Sequence, residues 1–198
     1  MIGMGELVIL RHGETEWSRT RKHTGRTDIP LTPRGEEQAK GLAPWVAGRD
    51  IAFAFCSPAA RARRTAELAG VPSPETEPDL WEWDYGGYEG RTTAEIGRDL
   101  PGWWIWKDGV VPGATPGETV EAVGDRCDRV IAKAKAHLAE GDVALVAHGH
   151  VLRILTARWL GLPARDGRLF ALDTGTASTL GFEHRREVIT SWNIPPSA

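Results

Sequence analysis

Three short apolar runs, each stopped by glycine or proline and each followed by helical spacing, restrict this chain to few folds. Leu7-Val-Ile-Leu10 ends at Arg11-His12-Gly13, Ile51-Ala-Phe-Ala-Phe-Cys56 at Ser57-Pro58, and Asp142-Val-Ala-Leu-Val-Ala147 at His148-Gly149-His150. Runs of this length without polar interruption read as strands buried on both faces. Alternating with helices, they predict a mostly parallel sheet in a three-layer α/β/α sandwich, one domain over residues 1–198. Thr32-Pro33 opens a helix with Ala39, Leu42, Ala43 and Val46 on its apolar side. Ser57 reads as an N-cap with Pro58 at the first helical position, and Val151, Leu152, Leu155 and Trp159 space a helix after His150. A longer helix is predicted over Glu118 to Leu138. Arg168 to Leu172, Ala177 to Glu183 and Glu187 to Trp192 read as terminal strands, at least one of them antiparallel because the connections are too short for crossovers.

In such a sheet, ligands bind just beyond the carboxyl ends of the strands. Those ends carry chemistry here. The first delivers a guanidinium and an imidazole, Arg11 and His12, and Gly13 permits a tight turn and close approach. The helix after the second brings Arg61 one turn in, where its side chain reaches back past the strand end; Arg63 and Arg64 read as solvated. The third delivers His148 and Gly149. Arginine forks beside an imidazole suit a phosphate group and a nucleophilic attack on it.

A fourth segment, Leu80-Trp-Glu-Trp-Asp-Tyr-Gly-Gly-Tyr-Glu-Gly90, interleaves aromatics with Glu82, Asp84 and Glu89. A carboxyl set between two tryptophans is partly desolvated, which favours its protonated form, as a general acid requires. Spacing alone does not choose among the three acids.

Taken in order, Arg11-His12-Gly13-Glu14-Thr15, Thr24-Gly25, Leu31-Thr32-Pro33-Arg34-Gly35, Ser57-Pro58 with Arg61-Ala62 and Thr65-Ala66, Glu82 with Tyr85-Gly86 and Gly90, and His148-Gly149 resemble the histidine phosphatase superfamily, in its phosphoglycerate-mutase-like branch. The resemblance spans residues from about 7 to about 155. It implies a phosphoglycerate-mutase-like fold and a metal-independent, cofactor-free hydrolysis of phosphate monoesters through a phosphohistidine. By the same resemblance His12 is the nucleophile, Glu82 the proton donor, and Arg11, Arg61 and His148 surround the phosphate. Thr24 and Gly25 fall on the substrate-contacting loop and Gly149 beside the second histidine. Ser18 stands where the family usually has Asn, so it offers a hydroxyl instead.

The wording around Glu82 and His148 is similar to small acid phosphatases of actinobacterial type and to the sedoheptulose-1,7-bisphosphatase-like group. Mutases typically carry Asn where His150 stands, and paired arginines in a longer insertion. Here Arg91 to Glu118 holds only Arg91, Arg98 and Lys107, well separated, which favours a phosphatase. A bisphosphorylated sugar would call on Arg19, Arg21, Lys22 or Arg26 near the mouth.

The rival enzyme reading, a metal hydrolase on His12, His148 and His150, lacks metal-ligand spacing and sets two arginines against the cation. The non-enzyme rival is a phosphate-binding scaffold, which would be expected to lose His12 or Glu82. A net charge of −3 argues against a nucleic-acid partner, and the resemblance implies a small phosphorylated metabolite. No run reaches membrane-spanning length, and Met1 to Glu6 lacks the basic and apolar regions of a leader, which predicts a cytoplasmic protein. Cys56 and Cys127 read as buried thiols, and apolar sheet edges leave a homo-oligomer open. Trp81, Trp83, Trp103, Trp104 and Trp106 read first as a satellite aromatic core and second as a lid over the substrate. His23 and His150 are expected near the pocket mouth, and His137 and His184 on the solvated surface.

Overall fold

The computed structural model describes residues 5–197. Most of the Met1–Glu6 stretch read for a leader lies outside them. Six strands, β1 (Leu7–Arg11), β2 (Ile51–Cys56), β3 (Glu75–Thr76), β4 (Asp142–Ala147), β5 (Ala177–Glu183) and β6 (Arg186–Ile194), form one sheet in the order β3-β2-β4-β1-β5-β6. Strands β3, β2, β4 and β1 run parallel; β5 and β6 add antiparallel at one edge. This is the three-layer α/β arrangement expected from the alternation of runs.

The two-residue period of a strand divides the core cleanly. Leu7 and Ile9 of β1, with Val143, Leu145 and Ala147 of β4, face one helical layer; Val8, Leu10, Ala144 and Val146 face the other. The first layer holds α7 (Val120–Lys135) and α8 (Gly149–Trp159), and the second α2 (Pro33–Gly41), α3 (Ala43–Ala47) and α4 (Ala60–Leu68). Short helices α1 (Glu16–Arg19), α5 (Thr93–Asp99) and α6 (Ile105–Asp108) sit in the connecting segments. Among the described residues no helix is long and apolar enough to cross a membrane.

Three expectations are corrected. The predicted helix from Thr32 divides at Leu42, because Pro44 cannot donate the hydrogen bond that would carry it through. Helix α4 starts at Ala60 rather than Pro58: the Ser57 hydroxyl accepts from His148 at 2.7 Å and only loosely from the Ala59 N–H at 3.3 Å, while the distant Asp28 carboxylate accepts the Ala60 N–H at 2.9 Å. Arg168 to Leu172 is no strand; Ala164–Leu169 is a 3-10 turn. Side chains take carbonyls of this stretch instead: Arg153 those of Gly167 and Arg168 at 3.1 Å each, Trp192 that of Ala171 at 2.6 Å, and Arg11 that of Leu172.

His184 is exposed as expected, but His137 is half-buried and stacks on Phe53 with ring centroids 4.0 Å apart.

Candidate active site

The parallel register brings the three strand ends level. Arg11 pairs with Ala147 and Cys56 with Val146. One residue further, the ladder persists as His12 N–H donates to Ala147 O at 3.0 Å and Ser57 N–H to Val146 O at 2.9 Å. His12, Ser57 and His148 therefore emerge together.

Gly13 serves a different purpose from the expected turn. A Cβ there would lie 2.1 Å from the Gly35 carbonyl, so its role is to let the start of α2 cross close behind His12. Thr65 in α4 accepts the Gly13 N–H at 3.1 Å and fixes the crossing.

Hydrogen bonds define both imidazoles. His12 Nδ1 lies 2.7 Å from the Gly13 carbonyl, which only accepts, so Nδ1 carries the hydrogen and Nε2 keeps a lone pair. Burial first, and then the Arg61 and Arg11 cations, push His12 well below the usual histidine range. His148 is edge-on to it, centroids 5.1 Å apart. Its Nδ1 accepts from Arg61 Nε at 3.1 Å, so its Nε2 donates to Ser57 Oγ at 2.7 Å. Burial and Arg61 hold this ring neutral too.

The two arginines differ sharply. Arg61 is fully buried and clasps the loop after α1, donating to the carbonyls of Thr27 at 3.0 Å, Thr24 at 3.3 Å and Gly25 at 3.1 Å. Arg11 donates NH1 to the Leu172 carbonyl, while its buried Nε has no hydrogen-bond partner among the described residues. Gly149 makes room for it; a Cβ there would lie 3.2 Å from the Arg11 guanidinium carbon.

Glu82 sits against the first turn of α8. Its Oε1 accepts N–H bonds from Trp83 and Val151, each at 2.9 Å, and Oε2 accepts one from His150 at 3.0 Å. Oε2 thus keeps room for a proton. A cavity of about 390 Å³ joins Arg11, His12 and Glu82 to Ser18, Thr24, Tyr85, Gly149, His150 and an outer rim.

The profile of the histidine phosphatase superfamily (branch 1) matches residues 7–195. The chain belongs to that superfamily. This histidine phosphatase is 42% identical over 181 residues to an acid phosphatase of Mycobacterium tuberculosis, covering 90% of this chain and 87% of that protein. It is 37% identical over 187 residues to the sedoheptulose 1,7-bisphosphatase of Saccharomyces cerevisiae, covering 78% of this chain and 67% of that protein. A solved structure of an open reading frame from Mycobacterium tuberculosis superimposes with a TM-score of 0.90 at 38% identity, covering 96% of this chain and 98% of that one. The family makes this chain a phosphatase, a phosphoric monoester hydrolase.

Within the histidine phosphatase, the residues singled out in the sequence take unequal positions. Arg11, His12, Ser18, Thr24, Glu82 and Gly149 line the cavity, whereas Arg61, His148 and Gly25 stand behind it. The Ser18 hydroxyl donates to Thr15 O and accepts from Thr15 N–H, a capping box at the start of α1, so its single hydrogen is already used. Among the described residues no group of three or more His, Cys, Asp or Glu side chains is placed to hold a metal. Burial pushes the Cys56 and Cys127 thiols each up to about 12, which keeps them protonated.

Sequence reasoning missed the supports. Glu89 accepts the Gly25 and Thr27 N–H groups at 2.9 and 3.1 Å and ties down the loop that Arg61 holds from the other side. Arg126 donates to the carbonyls of Asp79 at 2.7 Å, Trp81 at 2.6 Å and Glu82 at 3.2 Å. Its signal was visible: Arg126 lies on the apolar stripe of its helix, between Val123 and Val130. Trp83, Trp103 and Trp106 are buried and do not line the cavity, as a satellite core requires, whereas Trp104 is exposed and belongs to neither a core nor the cavity wall. Trp106 carries the His150 ring at 5.1 Å and the Arg153 guanidinium at 4.8 Å.

Proposed function

We propose that this protein hydrolyses phosphate monoesters of small metabolites, sugar phosphates among them, through a phosphohistidine on His12 and without a metal. One observation carries the reading: a buried Arg11 Nε–H without a hydrogen-bond partner among the described residues, beside an imidazole whose Nε2 keeps its lone pair. A phosphoryl oxygen satisfies that donor, and the planar guanidinium edge matches its geometry.

In the first step, His12 Nε2 attacks phosphorus in line. The N–P bond forms as the ester P–O bond breaks, and the leaving oxygen takes the proton held at Glu82 Oε2. Water then attacks phosphorus and gives a proton to Glu82, the N–P bond breaks, and orthophosphate leaves. Arg11 neutralises charge on the phosphoryl oxygens in both steps. Arg61 and His148 act one layer back: Arg61 holds the Thr24–Thr27 loop and helps keep His12 neutral, and His148 fills the space beside the attacking ring. Thr24 and Gly149 supply the wall, and Gly25 its anchor.

A second reading, a sugar bisphosphatase, is favoured by Arg21 and Lys22, which line the outer cavity; Arg19 and Arg26 pair with Glu16 and Glu118 instead. Phosphoglycerate mutase is disfavoured by His150 and by the scattered cations of residues 91–118.

Rapid-quench turnover of a phosphate-labelled ester tests the proposal. Acid-labile, base-stable label is expected on the wild-type chain, none on His12→Ala, and full turnover after exhaustive chelation. Turnover with no label on His12, or activity retained by His12→Ala, would refute it, and binding without turnover would make the protein a phosphate-binding scaffold.

A further inference from the structure

One carboxylate at the cavity lip has no part in the chemistry above. Asp173 lies in the loop before β5 and lines the same cavity as Arg11 and His12. Its position is built rather than incidental. The Asp173 N–H donates to Asn193 Oδ1 at 2.8 Å, and Asn193 Nδ2 donates back to Asp173 Oδ2 at 2.9 Å. Asn193 holds a φ of 55°, a left-handed conformation that Asn tolerates better than most residues. Oδ1 of Asp173 has no donor among the described residues. His23 lines the same cavity and spends Nδ1–H on the Arg91 carbonyl at 2.8 Å, which leaves its Nε2 as a second acceptor. The cations Arg21 and Lys22, on the segment after α1, and Arg153 of α8 line the cavity as well, so Asp173 is a carboxylate set among them.

An acceptor carrying negative charge, set close enough to Arg11 to strengthen its charged form, binds a hydroxyl and repels an anion. We infer that Asp173 is a specificity residue that accepts a hydrogen bond from a hydroxyl of the leaving alcohol. It selects hydroxymethyl-bearing phosphate monoesters against esters with a carboxylate at the same place. Asn193 is its positioning residue. The inference rests on the phosphatase reading and concerns only which alcohol leaves.

Glycerol 3-phosphate and 3-phosphoglycerate test it, because they share the phosphate and the middle hydroxyl and differ in hydroxymethyl against carboxylate. The wild type is expected to favour glycerol 3-phosphate in kcat/KM by about tenfold or more, the worth of one charged hydrogen bond. Asp173→Asn should reduce that ratio about tenfold, and Asn193→Gly, which keeps the left-handed backbone, should reduce it in part. Damage to Arg11 or to the fold cancels in the ratio. An unchanged ratio in Asp173→Asn, or a wild-type preference for 3-phosphoglycerate, overturns the inference. Turnover of p-nitrophenyl phosphate with label on His12 is measured alongside, so that failure of the phosphatase reading is recognised separately.

Discussion

Replacing Arg126 with methionine is expected to loosen the segment that presents Glu82, and the structure sets the size of the effect. Arg126 is 5% exposed and all its donor atoms are engaged: Nε with Glu118 Oε1 at 2.9 Å, NH2 with Glu118 Oε2 at 3.1 Å and the Glu82 carbonyl, and NH1 with the Asp79 and Trp81 carbonyls. Methionine fills similar volume but leaves three carbonyls without their donor and one carboxylate without its main cation. Glu118 keeps the Asp84 N–H at 2.9 Å and a longer contact with Arg26, which tempers the loss. Breaking a buried pair of this kind costs about 3–5 kcal/mol. For a chain of this size that lowers the thermal midpoint by about 6–20 °C. Differential scanning calorimetry measures it. The functional consequence separates a clamp from mere ballast: with Glu82 as the proton donor proposed above, rates on alkyl esters should fall more than rates on p-nitrophenyl phosphate. In a double-mutant cycle with Glu118→Gln, the two changes should couple by about 2 kcal/mol. A midpoint shift under about 3 °C, or equal losses on both ester types, refutes the reasoning.

Gly149→Ala should leave stability unchanged or slightly higher, since alanine favours the helix start. It should still cut kcat/KM about tenfold by displacing Arg11, as steady-state kinetics with calorimetry will read. Burial lowers His12, His23, His148 and His150 below the usual histidine value, so below pH 6.5 the unfolded chain takes up protons that the native one refuses. Stability must therefore fall as pH drops from about 6.5, by about 1.4 kcal/mol per unit for each such histidine, and a urea midpoint that is flat between pH 7 and 5 would contradict this. Trp106→Ala should cost about 3–5 kcal/mol in urea unfolding, while relative rates across a panel of esters stay constant, because the indole supports His150 and Arg153 from behind.

The inner half of the site was legible because strand ends are sequence-local events. An apolar run that stops at Arg-His-Gly or His-Gly-His announces both the element and the side chains it delivers, and a parallel sheet then brings such ends together. The outer half was not, because its groups meet through loops. Asp28 capping α4, Glu89 holding Gly25, and Asn193 holding Asp173 join residues 32, 64 and 20 positions apart, with no periodicity to mark them. Arg168–Leu172 differs from the expected strand for the same reason: a run with strand-like composition gives carbonyls to Arg153, Trp192 and Arg11, side chains fixed from distant elements. Ser18 shows the limit of carrying a role by residue type, since a hydroxyl that can contact a phosphate is here absorbed by the local helix cap.

On the proposed mechanism, acid tolerance of the chemistry and acid lability of the fold should come from one cause. Burial and the Arg61 and Arg11 cations lower His12 well below the usual histidine range, so as the proposed nucleophile it should stay competent where an ordinary imidazole would not. The same burial makes each neutral imidazole a site at which unfolding gains a proton. Hence the activity of this phosphatase on the acid side should be limited by loss of the fold before loss of the nucleophile. Binding an anion against Arg11 should widen that range, because an anion held only by the native state stabilises it by mass action. Sulfate, which does not titrate in this range, should therefore shift the acid unfolding midpoint to lower pH in the wild type. It should do so far less in Arg11→Met, and an equal shift in both would place the anion elsewhere.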